Sequence, residues 1–99
     1  MKFADFQRND RRLVILLALE NAAEYKANHH LLQRYCGFMG HSVSVDAIKT
    51  DLHWLAEQGV LTLDEQGEVT VATLTVRGLD VANARTLVPG IARPAPGQE

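Results

Sequence analysis

The side chains of this sequence best suited to hold a metal or move a proton are four histidines, His29, His30, His41 and His53, and a lone cysteine, Cys36. Imidazole and thiolate are good zinc ligands, but a zinc site needs them at recurring short spacings, and these five residues match no such pattern. Neighbouring residues on a helix point roughly 100° apart, so His29 and His30 do not converge on one ion. Cys36 reads as a small core residue. Catalysis is not indicated either: there is no nucleophile elbow, no phosphate-cradling glycine loop and no carboxylate pair beside a base. The sequence predicts a non-enzyme with no catalytic residue, no metal and no cofactor.

A second set of residues has the chemistry of nucleic-acid contact. Ser42, Ser44, Lys49, Thr50 and His53 lie on or just before a predicted helix and carry groups that meet base edges or phosphates. Arg8, Arg11, Arg12 and Lys26 could supply phosphate attraction from the flank. The charge distribution opposes them. The formal charge is −2 overall, with +2 on residues 1–40, −5 on residues 41–68 and +1 on residues 69–99. This balance is wrong for a sequence-independent DNA coater, and it equally suits an acidic protein-interaction face. If the helix reads DNA, the expected contact is narrow and centred on Lys49, with the acidic turn Asp64-Glu65-Gln66-Gly67-Glu68 held away.

These residues need a scaffold. Ninety-nine residues, 46% of them apolar, suffice for one modest core. A lone cysteine suits a reducing, cytoplasmic setting. Met1 to Asp10 is too polar for a signal peptide, and the longest apolar run, Leu13 to Leu19, is too short to cross a membrane. Asn9 or Asp10 is expected to cap a helix to about Asn21, with Phe3 and Phe6 packed beside it. Tyr25-Lys26-Ala27 reads as a short extended piece, and Asn28 as the cap of a second helix from His29 to about Met39. The inner stripe expected there is Leu31, Leu32, Tyr35 and Cys36, with Gly40 in a left-handed turn. Ser44 caps a third helix whose Ile48, Leu52 and Leu55 face inward, ending at Gly59. Val60–Leu63 and Glu68–Ala72 alternate around a glycine turn and predict a hairpin. Thr75 caps a last helix to about Arg85, with Val76, Leu79 and Ala82 inward. Leu16, Leu17, Leu32, Ile48, Leu52, Leu55, Leu61 and Leu79 should share one core.

Helix, short extended piece, helix, turn, helix, hairpin, helix is the order of a winged helix-turn-helix, an α+β fold with a two- or three-stranded wing sheet; other small α+β arrangements fit the same order. The expected domain is residues 1–88, followed by an extended or mobile tail at 89–99. Five segments carry a resemblance: Asp10-Arg-Arg-Leu-Val-Ile-Leu, His30-Leu-Leu-Gln, Gly40-His-Ser-Val-Ser, Thr50-Asp-Leu-His-Trp-Leu-Ala-Glu-Gln-Gly and Ala72-Thr-Leu-Thr-Val-Arg-Gly-Leu-Asp-Val-Ala. With Val88-Pro-Gly-Ile-Ala-Arg-Pro, they resemble a family of small proteins of Mu-like phages and prophages, which are in turn similar to ArsR-type winged-helix transcription regulators. The resemblance implies transcription regulation in the bacterial host cytoplasm through double-stranded DNA. The alternative is a module that binds a phage or host protein. No Cys-x-Cys pair lies on the third helix, so metal sensing does not carry over. A homodimer is expected, joined through the first or last helix, with Val76, Val81 and Leu87 as its apolar surface.

Overall fold

The computed structural model describes residues 1–95. Helix α1 runs from Phe3 to Glu20, β1 from Lys26 to Asn28, α2 from His29 to Phe38, α3 from Val45 to Glu57, β2 from Leu61 to Gln66, β3 from Val69 to Leu74 and α4 from Val76 to Ala82. The three strands form one antiparallel sheet in the order β1-β3-β2, with Lys26 opposite Thr73 and Leu61 opposite Leu74. This is the expected winged helix: α2, a turn and α3 packed beside a small sheet whose β2–β3 hairpin is the wing.

Capping residues set most boundaries. The side chains of Asn28, Ser44 and Thr75 accept from the backbone N–H of Leu31, Ala47 and Gly78, as their positions predict. Gly40 adopts φ 94° after α2, where a side chain would be strained. The start of α1 differs from expectation. It begins at Phe3, with no side-chain cap at Lys2, and Asn9 and Asp10 lie mid-helix. Residues 3–20 contain no proline or glycine and many straight-chain residues, so propensity extends the helix past two good caps. Asp10 instead meets His41 Nε2 at 2.7 Å, tying α1 to the α2–α3 turn.

The core contains Leu16, Leu32, Ile48, Leu52, Leu55 and Leu61, all buried, with Leu17 and Leu79 packed against it. Two stripes are rotated from expectation. On α2 the inward residues are His29, Leu32 and Cys36, while Leu31 and Tyr35 face solvent. His29 takes the inner position because its Nδ1 accepts from the backbone N–H of Thr70 at 3.1 Å, pinning the start of α2 to β3. On α4, Gly78, Val81 and Ala82 face inward and Val76 is exposed. A Cβ on Gly78 would lie 1.9 Å from the carbonyl oxygen of Val60, so only glycine permits this approach. Phe3 and Phe6, expected to pack beside α1, are exposed, and α4 ends at Ala82 rather than Arg85.

From Pro89 to Ala95 there is no helix or strand, and this segment is docked onto the domain. The carbonyl of Gly90 accepts from Arg12 Nη1 at 3.2 Å, and Ala92 N–H donates to the Asn9 carbonyl at 3.1 Å. Residues 96–99 of the expected tail lie outside the described residues.

Candidate nucleic-acid interface

Helix α3 presents one face to the core and the other to solvent because Ile48, Leu52 and Leu55 repeat at helical spacing. The outer face forms an open groove lined by Asp46, Lys49, Thr50, His53, Trp54 and Glu57. Lys49, Thr50 and His53 are thus brought together, as the sequence predicts. Ser44 stands at the helix start, its hydroxyl oxygen engaged by Ala47 N–H and its proton still available to a phosphate. Ser42 lies in a second groove between the N-terminal half of α1 and the α2–α3 turn, shared with Gln7, Arg8, Arg11 and His41. The turn is braced by Gln33 Nε2, which donates to the Val43 carbonyl at 3.0 Å.

The basic flank is smaller than the sequence suggests. Arg12 is buried; its Nε donates to Asp51 Oδ1 at 3.2 Å, and its guanidinium lies 3.8 Å from the centroid of the Trp54 ring. Burial lowers the Arg12 pKa, against which the Asp51 carboxylate acts. Arg11 Nε donates to the other Asp51 oxygen. Arg12 therefore serves as an internal brace linking α1, α3 and the C-terminal segment. Arg8 remains partly exposed and pairs with Asp5 at 3.4 Å, while Lys26 is exposed on β1 and lines neither groove.

Asp51, which is not among the sequence-predicted candidates, carries this brace. Its signal was present: it lies three residues after Ile48 and four before Leu55, in phase with the buried stripe. An acidic residue there requires cationic partners inside the fold. Its neutralisation removes one negative charge from the face of α3, but Asp46, Glu57, Asp64, Glu65 and Glu68 all remain exposed.

The wing comes close to α3 at one point. Alternation along β2 places Glu65 on the same side as Leu61 and Leu63, facing the core side of the sheet. Its Oε1 lies 3.8 Å from His53 Nε2, and its Oε2 accepts from Thr70 Oγ1 at 2.8 Å. One wing carboxylate thus reaches a candidate DNA-contacting side chain.

His29 and Cys36 are inner residues rather than parts of this face. Burial lowers the His29 pKa, with His30 and Lys49 adding to the effect. Burial raises the Cys36 thiol to about 11, so it stays protonated at neutral pH. Among the described residues, no three of His, Cys, Asp and Glu come together as metal ligands. Within the same residues no helix is long and apolar enough to cross a membrane.

Comparison with solved structures places the fold. The hsRosR-S1 chain, from its complex structure, superposes with a TM-score of 0.63 at 21% identity, over 81% of this chain and 66% of its own. The corresponding hsRosR-S4 chain gives 0.64 at 18% identity, over 80% and 73%. This chain thus spans about two thirds of hsRosR-S1, and at such identity the likeness is one of fold. The chain matches no family model. A protein of Haemophilus influenzae is 38% identical over 80 residues, 80% of this chain and 78% of that protein. The protein gp26 of Escherichia phage Mu is 42% identical over 92 residues, 93% of this chain and 95% of gp26. With that identity spread over nearly the full length of both proteins, the chain belongs to the family of phage Mu gp26.

Proposed function

We propose that this protein is a DNA-binding regulator of Mu-like phages and prophages, acting in the bacterial cytoplasm and reading duplex DNA with the outer face of α3. The observation that carries this reading is the uncovered groove in which Lys49, Thr50 and His53 lie together on the third helix of a winged helix. Ser42, Ser44 and Arg8 supply phosphate contacts beside it. Arg11 adds charge from the rim while holding Asp51, and Arg12 contributes no direct contact. With so few cations, the contact neutralises about two or three phosphates, giving a shallow salt dependence and weak non-specific binding. A low-salt binding screen with fragments of the host phage genome tests the reading: one fragment should bind well above the rest. Uniform or absent binding across the genome would defeat it.

A second reading is favoured by one observation. Three exposed carboxylates lie by Lys49 and His53: Asp46 and Glu57 line the same groove, and Glu65 is directed at His53 itself. Such a face complements a basic protein surface. Recovery of a phage or host protein at stoichiometric yield, from cells in which no DNA fragment is bound, would establish this reading in place of the first.

A further inference from the structure

Trp54 lines the α3 groove beside Thr50, His53 and Glu57, and its ring is held from two sides. On one face lies the Arg12 guanidinium, 3.8 Å from the ring centroid. Along the benzo edge lies the C-terminal segment, where a Cβ on Gly90 would stand 2.7 Å from Cη2 and 2.8 Å from Cζ2. That segment is itself anchored. Val88 and Pro94 are buried on either side of Gly90, and Ala92 N–H donates to the Asn9 carbonyl at 3.1 Å. One polar group of Trp54 is left over: its indole Nε1–H, a donor only, has no partner among the described residues and is not sealed from solvent.

We infer that Trp54 is a further DNA-contacting residue, whose Nε1–H donates to a phosphate oxygen of the duplex; the inference rests on the DNA-binding reading of α3 above. Chemistry selects the phosphate. A group that can only donate matches a backbone whose exposed oxygens only accept. Charge agrees with this. Arg11 and Arg12 share the single Asp51 carboxylate, so the brace behind Trp54 keeps one net positive charge. The wing side of the groove is the reverse, because there Glu65 approaches His53 at 3.8 Å. Glu57, three residues beyond Trp54, opposes a phosphate at this edge, and the charge of the brace offsets it. Rigidity adds to the effect: a ring already gripped by Arg12 and Gly90 loses little freedom when it meets the duplex. A phosphate contact fixes orientation rather than sequence, so Trp54 sets how α3 lies while Lys49 and Thr50 meet the bases.

Trp54 is the single tryptophan of the chain, so its emission reports on this contact directly. Acrylamide, a neutral quencher, is titrated into the full chain with and without the fragment selected by the genomic screen. The bound fragment should protect Trp54 and lower the quenching constant severalfold. Trp54→Phe keeps an aromatic ring over Arg12 and loses the N–H. It should weaken binding of the selected fragment and of a random duplex alike, by about tenfold at low salt. The salt slope should stay unchanged, because the lost group carries no charge. Unaltered quenching on the bound fragment overturns the proposal and leaves the DNA reading standing, and undiminished binding by Trp54→Phe does the same. A salt slope that falls by about one would show that a cation had been displaced instead, and that Trp54 serves only the fold. If Trp54→Phe does not fold, the quenching of the native chain decides by itself. If no fragment binds, the DNA reading and this contact fail together.

Discussion

The two faces of α3 carry the same charged chemistry in opposite surroundings. On the inner side, Asp51 is buried and receives hydrogen bonds from Arg11 and Arg12, the second of which also lies over Trp54. On the outer side, Asp46 and Glu57 stand in solvent beside Lys49 and His53. Arginines counted as phosphate-binding groups thus belong to the fold, and a carboxylate counted among surface charges is their partner. The comparison moves the stability of the helix to its inner face and leaves its outer face lightly constrained. A surface of that kind can change its ligand without loss of fold.

The largest break is expected at the centre of the inner face. Leu52→Asp should leave the chain unfolded, because an unpaired carboxylate among Ile48, Leu55 and Leu16 costs several kcal/mol against a small domain's margin. Loss of the native circular dichroism spectrum is the readout, and a cooperative melt near the native temperature would contradict the register. Next comes Asp51→Asn, which leaves Arg12 buried without its counter-ion and should cost about 3 kcal/mol in urea unfolding. Asp46→Asn, an exposed first-turn change, should cost no more than about 1 kcal/mol. Equal losses at the two positions would erase the distinction between the faces.

Local chemistry explains what could be read in advance. Asn28, Ser44 and Thr75 cap their helices because each needs only the next three residues to act, and the α3 stripe follows from its own spacing. The Asp51 brace was hidden because its partners lie some forty residues away, on a helix whose arginines look like surface groups until α3 is docked. The rotation of α2 was hidden for a similar reason: Leu31 and Tyr35 are better core residues than His29, and only the Thr70 N–H makes the histidine's inward position favourable. The outer groove was legible as a set of residues. The approach of Glu65 to His53 was not, although the alternation of Leu61, Leu63 and Glu65 pointed in that direction.

A smaller effect sharpens the outer half of the comparison. Lys49→Ala should weaken binding of the selected phage fragment about tenfold at low salt and reduce the salt slope by about one. Glu65→Gln with Glu68→Gln should strengthen the same complex severalfold by removing like charge near phosphate, with the gain shrinking as salt rises. Neither set should move the urea midpoint appreciably. If Lys49→Ala binds DNA as well as the native chain, α3 does not make the contact.

The smallest effect lies where the two faces communicate. His29 is an inner residue, yet Lys49 of the outer face helps to lower its pKa and Glu65 of the wing acts to raise it, with burial the dominant cause. Above the ordinary histidine value of about 6.5 the imidazole is neutral in folded and unfolded chains, and the Thr70 bond is fully favourable. As pH falls through that value, the unfolded chain takes up a proton that the folded chain resists, so the His29 contribution to stability is lost toward acid. His29→Asn keeps a side-chain acceptor for Thr70 N–H and does not titrate. The unfolding free energies of the two proteins should therefore differ by a constant above about pH 7 and then shift against the native chain as pH falls, by at most about 1.4 kcal/mol per unit. Adding Glu65→Gln removes the one acidic group that favours the imidazolium and should steepen the native chain's loss. Parallel stability curves for His29→Asn and the native chain would mean that His29 protonates as readily folded as unfolded, and that the outer face exerts no electrostatic hold on the inner one.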